Sequence, residues 1–239
     1  ILPKTQENGI NALSKESKNL SVVMVNGSPL ELGGWLKNAN SVVEAWYPGM
    51  EGGTAVAKIL FGALNPSGRL PFTWPKKLED VPCKKLAYED NDVINFSDSL
   101  MVGYRYYDTK NVEPEFPFGY GLSYTSFNYD KLSVSRSGQK VSATVEVKNT
   151  GSCAGAEVVQ LYVHPVNPSV FRPSHELKGF EKVFLKAGEQ KVVSFNLDED
   201  AFSYFDVQKN DWKVDACQYE IEIGRNSRDI VLHQPVSLQ

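Results

Sequence analysis

The segment Tyr47–Pro75, YPGMEGGTAVAKILFGALNPSGRLPFTWP, constrains the fold more than any other stretch of the chain. Val42, Val43, Ala45 and Trp46 lead into it as a buried strand. Pro48-Gly49 ends that strand, and Gly52-Gly53 mark a change of chain direction. Ala55, Val56, Ile59 and Leu60 then recur at helical spacing and predict a short helix with one apolar face. Gly62 suits a left-handed helix stop, and Asn65-Pro66-Ser67-Gly68 reads as a turn. Pro71 keeps Arg69–Phe72 extended because it lacks a backbone donor. Strand, glycine turn, helix and extended exit together make one unit of an α/β layer.

The residues before this stretch extend the same layer. Residues 2–19 read as a helix with Ile10 and Leu13 on one face, and Leu20–Val25 as a buried strand of the parallel kind. Gly33-Gly34-Trp35-Leu36 opens a short connecting helix. The order β-α-β-α implies parallel strands joined by right-handed crossovers. Residues 76–125 lose this periodicity and are rich in Tyr, Pro and Asp. Tyr88, Tyr104, Tyr106, Tyr107, Tyr120 and Tyr124 give the segment an aromatic character that suits an inter-domain seam better than a sugar-stacking platform. On the seam reading Arg105 and Asp108 form a structural ion pair.

From Phe127 onward the period changes to two. Val141, Ala143, Val145 and Val147, then Val159, Leu161 and Val163, then Tyr219, Ile221 and Ile223 alternate with other side chains. About seven such strands with turns between them predict a β-sandwich of immunoglobulin or fibronectin III type. Tyr219 occupies the place of a tyrosine corner, and Tyr162, Phe195, Trp212 and Tyr219 read as core aromatics. The expected fold class is therefore α/β plus all-β: a partial α/β sandwich over residues 1–80, a packed linker over 81–125, and the β-sandwich over 126–239. The loop from His164 to Leu177 is the longest of the sandwich and carries Phe171 and Arg172 near its tip.

Composition narrows the function. At 239 residues the chain is long enough for two domains, and its net charge of −4 with no basic run argues against a nucleic-acid role. No apolar run reaches membrane-spanning length, and no signal-peptide pattern is present. Ile1 rather than Met enters the first helix, so the chain is expected to be a piece of a longer protein. Cys83, Cys153 and Cys217 are odd in number, and Cys153 and Cys217 fall at opposite ends of the sandwich and are expected not to be bonded. The histidines, His164, His175 and His233, are scattered, so neither a metal site nor a catalytic triad is expected.

Several ordered motifs carry a resemblance. Gly49-Met50-Glu51-Gly52-Gly53 precedes a helix ending Phe61-Gly62, then Asn65-Pro66-Ser67-Gly68-Arg69-Leu70-Pro71. Gly103-Tyr104-Arg105-Tyr106-Tyr107-Asp108, Phe118-Gly119-Tyr120-Gly121-Leu122-Ser123-Tyr124-Thr125 and Glu176-Leu177-Lys178-Gly179-Phe180 follow. Over essentially its whole length the chain resembles the second and third domains of family 3 glycoside hydrolases, the β-glucosidase and β-xylosidase family. The resemblance implies the carboxyl-terminal half of an α/β sandwich followed by a fibronectin III-like domain. It implies a retaining β-glucosidase acting on terminal non-reducing β-D-glucosyl residues, without a cofactor, in partnership with a barrel-bearing polypeptide of the same or a cleaved chain. A β-xylosidase or arabinosidase of the same family is the alternative, and a carbohydrate-binding module is the alternative from another class. Homo-oligomers and a secreted or periplasmic location are compatible with it.

Retaining glycosidases need two carboxyl groups about 5–5.5 Å apart. Asp90, Asp92, Asp98, Glu113, Glu115, Asp198, Glu199 and Asp200 sit in solvated-looking positions and supply no such pair. The resemblance places the nucleophilic Asp in the absent barrel and the acid/base Glu upstream of residue 1, so no catalytic residue is assigned in this chain. Glu51 is the one acid inside a family motif; a cap on the next helix is its expected role, and substrate proximity the alternative. Phe171 and Arg172 are the other substrate-proximal candidates, against a plain docking loop.

Overall fold

The structure is a computed structural model that describes residues 1–82 and 98–238, with the backbone of 88–89 and 93–94. The chain divides into two compact units. The first is Ile1–Leu64 with Trp74–Lys84, and the second is Asn65–Thr73 with Lys85–Gln239. The Asn65–Thr73 stretch therefore belongs with the β-sandwich unit, although it directly follows the helix of the α/β unit.

The first unit runs α1 (Lys4–Glu16), β1 (Ser21–Met24), α2 (Gly33–Leu36), β2 (Ser41–Glu44) and α3 (Gly52–Leu60). β1 and β2 pair in parallel, Ser21 opposite Ser41 and Met24 opposite Glu44. Met24, Leu32, Trp35 and Trp74 are buried in this unit. Trp74 Nε1 donates to Leu30 O at 2.7 Å, and its ring lies 6.2 Å from that of Trp46. Trp46 turns the chain at a positive φ of 51°, and Gly49 at 70° continues the turn. At Gly52 a Cβ would come within 2.6 Å of the Pro48 ring, so the glycine lets α3 start tight against that proline. Val56 and Ile59 are half-buried on the predicted face of α3, whereas Ala55 and Leu60 are exposed. A groove of about 550 Å³ between α1 and β1 is lined by Ile10, Leu13, Val23 and Leu30 among others.

The second unit contains the short pair β3 (Tyr88–Glu89) and β4 (Val93–Ile94), then α4 (Tyr104–Thr109) and the sandwich. The sandwich strands are β5 (Phe127–Ser137), β6 (Lys140–Asn149), β7 (Gly155–Val166), β8 (Glu176–Leu185), β9 (Gln190–Leu197), β10 (Ser203–Asp206), β11 (Asp211–Val214), β12 (Gln218–Asn226) and β13 (Asp229–Ser237). One sheet has the order β13-β12-β7-β8, the facing one β5-β6-β9, and β10-β11 stands as a separate hairpin. Alternation decides the core: Val141, Ala143, Val145 and Val147 of β6 meet Val159, Leu161 and Val163 of β7 and Tyr219, Ile221 and Ile223 of β12. The β5-β6 turn places Gly138 at its first central position with φ 63°, as a two-residue hairpin turn favours. Tyr219 makes the tyrosine corner, its hydroxyl donating to Asp215 O at 3.1 Å.

β7 departs from simple alternation. Gln160 and Tyr162 point away from the core yet are buried, because residues 104–125 cover that outer face. Gln160 Nε2 donates to Gly119 O at 3.2 Å, and the Tyr104 ring meets Tyr162 edge-on at 6.0 Å.

Three expectations need correction. Arg105 and Asp108 do not pair with each other; Arg105 binds Glu176 and Asp108 binds Arg228 and His175. Both lie on one short helix, but their partners come from the sandwich. Trp212 is no core residue: 65% of it is exposed, since β10-β11 lies outside the two sheets that make the core. Glu51 does occupy the N-cap of α3, but its side chain makes no cap hydrogen bond. Its backbone, at φ −87° and ψ 9°, lies outside the β region from which a cap side chain reaches back. Cys153 and Cys217 are free thiols. Cys83, Asp90 and Asp92 and the side chain of Tyr88 lie outside the described residues.

Candidate functional site

The motif residues of the second unit interlock in an ordered ladder. α4 lies against the loop end and first residues of β8 so that contacts run in opposite directions along the two segments. Thr109 Oγ1 accepts from Ser174 N at 2.9 Å, and Asp108 Oδ2 faces His175 Nε2 at 3.3 Å. Arg105 Nη2 lies 2.7 Å from Glu176 Oε1, and Tyr104 Oη accepts from Leu177 N at 2.8 Å. Gly103 at φ 55° sets the entry to this helix. Arg228, in the β12-β13 turn, closes the far end. Its guanidinium donates to Asp108 Oδ1, Glu113 Oε2 and the carbonyls of Tyr107 and Val112, all within 2.8 Å. The Tyr-Arg-Tyr-Tyr-Asp motif and the Ser-His-Glu-Leu stretch are thus two halves of one joint.

The Asn167–Ser174 loop leaves this joint and carries two of the predicted residues. Ser169 donates from N and Oγ to Asp215, at 3.0 and 2.5 Å. The Arg172 side chain is 2% exposed; it donates to Phe202 O at 2.7 Å and to Glu176 Oε2 at 2.6 Å. With the chain pinned on both sides, Val170 and Phe171 stand out at the tip, Phe171 59% exposed. Arg172 is therefore an anchor and Phe171 the presented group. Glu51 is exposed at the glycine turn of the first unit.

Among the described residues, the most buried carboxylates are committed within the chain. Glu157 takes Arg69 and the Tyr129 hydroxyl, Glu176 takes Arg105 and Arg172, Asp215 takes Ser169, and Asp108 takes Arg228 and His175. Burial raises Glu176, but the Arg172 hydrogen bond and the charges of Lys178, Arg105 and Arg172 outweigh it and hold its carboxyl below the usual range. Glu44, which no sequence signal singled out, closes β2. Burial raises its pKa against the opposing hydrogen bonds from Trp46 N, at 2.9 Å, and the Asn26 side chain. Only its position at the carboxyl end of a parallel strand could have drawn notice. Among the described residues no cluster of His, Cys, Asp and Glu has the spacing to hold a metal ion.

Residues 1–124 match the Glycosyl hydrolase family 3 C-terminal domain, and residues 157–227 match the Fibronectin type III-like domain. The chain is 47% identical to thermostable beta-glucosidase B of Acetivibrio thermocellus over 98% of its own length and 32% of the relative's. It is 41% identical to the exo-alpha-(1->6)-L-arabinopyranosidase of Bifidobacterium breve, covering all of this chain and 32% of that protein. Among solved structures, the GH3 beta-glucosidase of Bifidobacterium adolescentis superposes with a TM-score of 0.96 at 42% identity, over 99% of this chain and 35% of that one. The chain spans about a third of the length of the relatives it matches. It belongs to glycoside hydrolase family 3, of which it carries the C-terminal domain and the fibronectin type III-like domain.

Proposed function

We propose that the chain is the non-catalytic carboxyl-terminal part of a retaining β-glucosidase that hydrolyses terminal non-reducing β-D-glucosyl residues. One observation carries this: among the described residues the most buried carboxylates are tied up in internal ion pairs and hydrogen bonds, while relatives named as beta-glucosidases are about three times as long. The catalytic carboxylates then belong to a barrel-bearing polypeptide, and this part serves as scaffold. Phe171, held by Arg172, and the exposed Glu51 are its substrate-proximal groups. The purified chain should leave an aryl β-glucoside untouched, and turnover by it alone would defeat the reading. Glucoside over xyloside or arabinoside is the proposed preference. The arabinopyranosidase relative motivates assaying the full-length enzyme on aryl β-glucoside, β-xyloside and α-L-arabinopyranoside together; a higher kcat/KM on either pentoside would replace the glucosidase assignment. Secretion or periplasmic location and homo-oligomerisation belong to the same proposal.

A second reading, carbohydrate binding by the sandwich, is favoured by the β10-β11 hairpin. Phe205 and Trp212 face each other across its strands at 5.7 Å, 46% and 65% exposed. Exposed indoles stack on sugar rings. Soluble β-glucan should quench Trp fluorescence in the chain and not in Trp212→Ala; absence of any difference removes this reading.

A further inference from the structure

Both nitrogens of the buried His175 ring face carboxylates. Nδ1 lies 2.8 Å from Glu222 Oε2, and Nε2 lies 3.3 Å from Asp108 Oδ2. A neutral imidazole carries one N–H, so one of these acids would face a lone pair. Only the imidazolium satisfies both. The ring stacks on Tyr162 with centroids 4.9 Å apart, and Tyr104 lies 6.1 Å away on the other element, so aromatic rings flank the charge. The remaining charges around it are spoken for. Arg228 takes the second oxygen of Asp108 and reaches Glu113, while Arg105, Arg172 and Lys178 gather on Glu176.

We propose that His175 is a proton-operated clasp: its imidazolium ties Asp108 of α4 to Glu222 of β12, and loss of one N–H proton to a solvent base loosens the Gly103–Glu113 segment on the sheet, leaving it to the Arg228, Arg105 and Tyr104 contacts. Deprotonation removes the cation, breaks one of its two N–H hydrogen bonds, and leaves two carboxylates around a ring with a single donor. Loosening is reversible, since the only bond broken is the N–H, which re-forms when the protonated solvent base returns its proton.

Burial disfavours the charge on His175, but the hydrogen bonds to Asp108 and Glu222, with their charges, push its pKa up to about 9. Its ordinary value is near 6.5, so the folded state holds the proton more tightly than the unfolded one. The clasp is then at full strength below about pH 6.5 and is lost as pH rises through about 9. Complete deprotonation should weaken closure by roughly 300-fold.

The test uses the segment's own tryptic sites, Arg105 and Lys110, in the full chain. Cleavage there is measured at pH 7 and pH 10 for the wild type, His175→Lys and His175→Gln. The wild type should be cut at least tenfold faster than His175→Lys at pH 10 and no faster at pH 7, while His175→Gln should be cut fast at both. A wild-type to His175→Lys ratio that stays constant between the two pH values overturns the proposal. Should the variants fail to fold, ¹⁵N-labelled histidine in the wild type decides. A ring doubly protonated at pH 7.5 with a midpoint near 9 supports the clasp, and a neutral ring at pH 7.5 overturns it.

Discussion

Arg69 and Glu157, 88 residues apart, meet as a buried ion pair with Nη2 2.8 Å from Oε2. Arg69 belongs to the Asn-Pro-Ser-Gly-Arg-Leu-Pro run and Glu157 to β7, so the pair fastens that run to the sandwich. The Tyr129 hydroxyl donates to the other carboxylate oxygen at 2.9 Å. Replacing Arg69 by Met leaves Glu157 charged and nearly inaccessible to water. A buried pair broken from one side costs about 3–5 kcal/mol. The urea midpoint of Arg69→Met should fall accordingly. Adding Glu157→Gln removes the orphaned charge and keeps an acceptor for Tyr129, so the double variant should regain part of the loss. If Arg69→Met were as stable as wild type, the pair would contribute nothing.

The tyrosine corner gives a smaller expectation. Tyr219 is fully buried in the core, and its hydroxyl satisfies Asp215 O. Tyr219→Phe keeps the ring and removes one of the two hydrogen bonds to that carbonyl, which retains the Cys217 N–H at 2.9 Å, and should cost about 1 kcal/mol in chemical denaturation. Tyr219→Ala should cost about 3–5 kcal/mol, because a large cavity opens between the sheets. Equal losses for the two variants would show that the hydroxyl, not the ring, sets the stability of the corner.

Strands were legible where one face only is buried. β6 and β12 alternate in the sequence as they do in space, and Tyr219 was readable as a corner. What escaped was decided by partners from distant elements. The outward residues Gln160 and Tyr162 are buried because 104–125 lies over them, and no local period encodes that cover. Arg105 and Asp108 sit three apart on α4, so a local pair was a natural reading, but Glu176, Arg228 and His175 compete for them and win. Trp212 read as core because the strand aromatics fall at mixed positions and not in one exposed row; its hairpin pairs with neither sheet. Of the candidate residues, Phe171 stands at the tip of the longest sandwich loop, as read from the sequence. The anchoring of Arg172 depends on the carbonyl of Phe202, 30 residues on, which sequence does not reveal.

Gly119 offers a test of the covering layer itself. Its φ is 81°, and a Cβ there would come within 2.2 Å of Gln160 Oε1. That side chain has no freedom to retreat, since Nε2 donates to the carbonyls of Gly119 and Arg225 and Oε1 accepts from the Tyr162 hydroxyl. Gly119→Ala combines left-handed strain with overpacking and should cost about 3 kcal/mol. Gly119→Ala with Gln160→Ala relieves the clash but not the φ strain, so thermal unfolding should show no more than partial recovery. A Gly119→Ala chain as stable as wild type would mean that the cover is not packed in this way.

Glu176 sets the acid limit of the same joint. Its carboxylate faces Arg172, Arg105 and Lys178, and despite burial its pKa is lowered. A carboxylate whose folded pKa lies below the unfolded value contributes stability above that unfolded value, near 4.3, and loses it as pH falls through the folded pKa. Wild-type stability should therefore drop steeply below about pH 4. Glu176→Gln should be less stable than wild type at pH 7 by about 3–5 kcal/mol, since Arg172 is left buried without its counter-charge. It should also show a shallower acid slope, so the two curves of unfolding free energy against pH converge towards acid. Parallel curves would mean that Glu176 binds its proton equally in both states, and that the charges of Arg105 and Arg172 are balanced elsewhere.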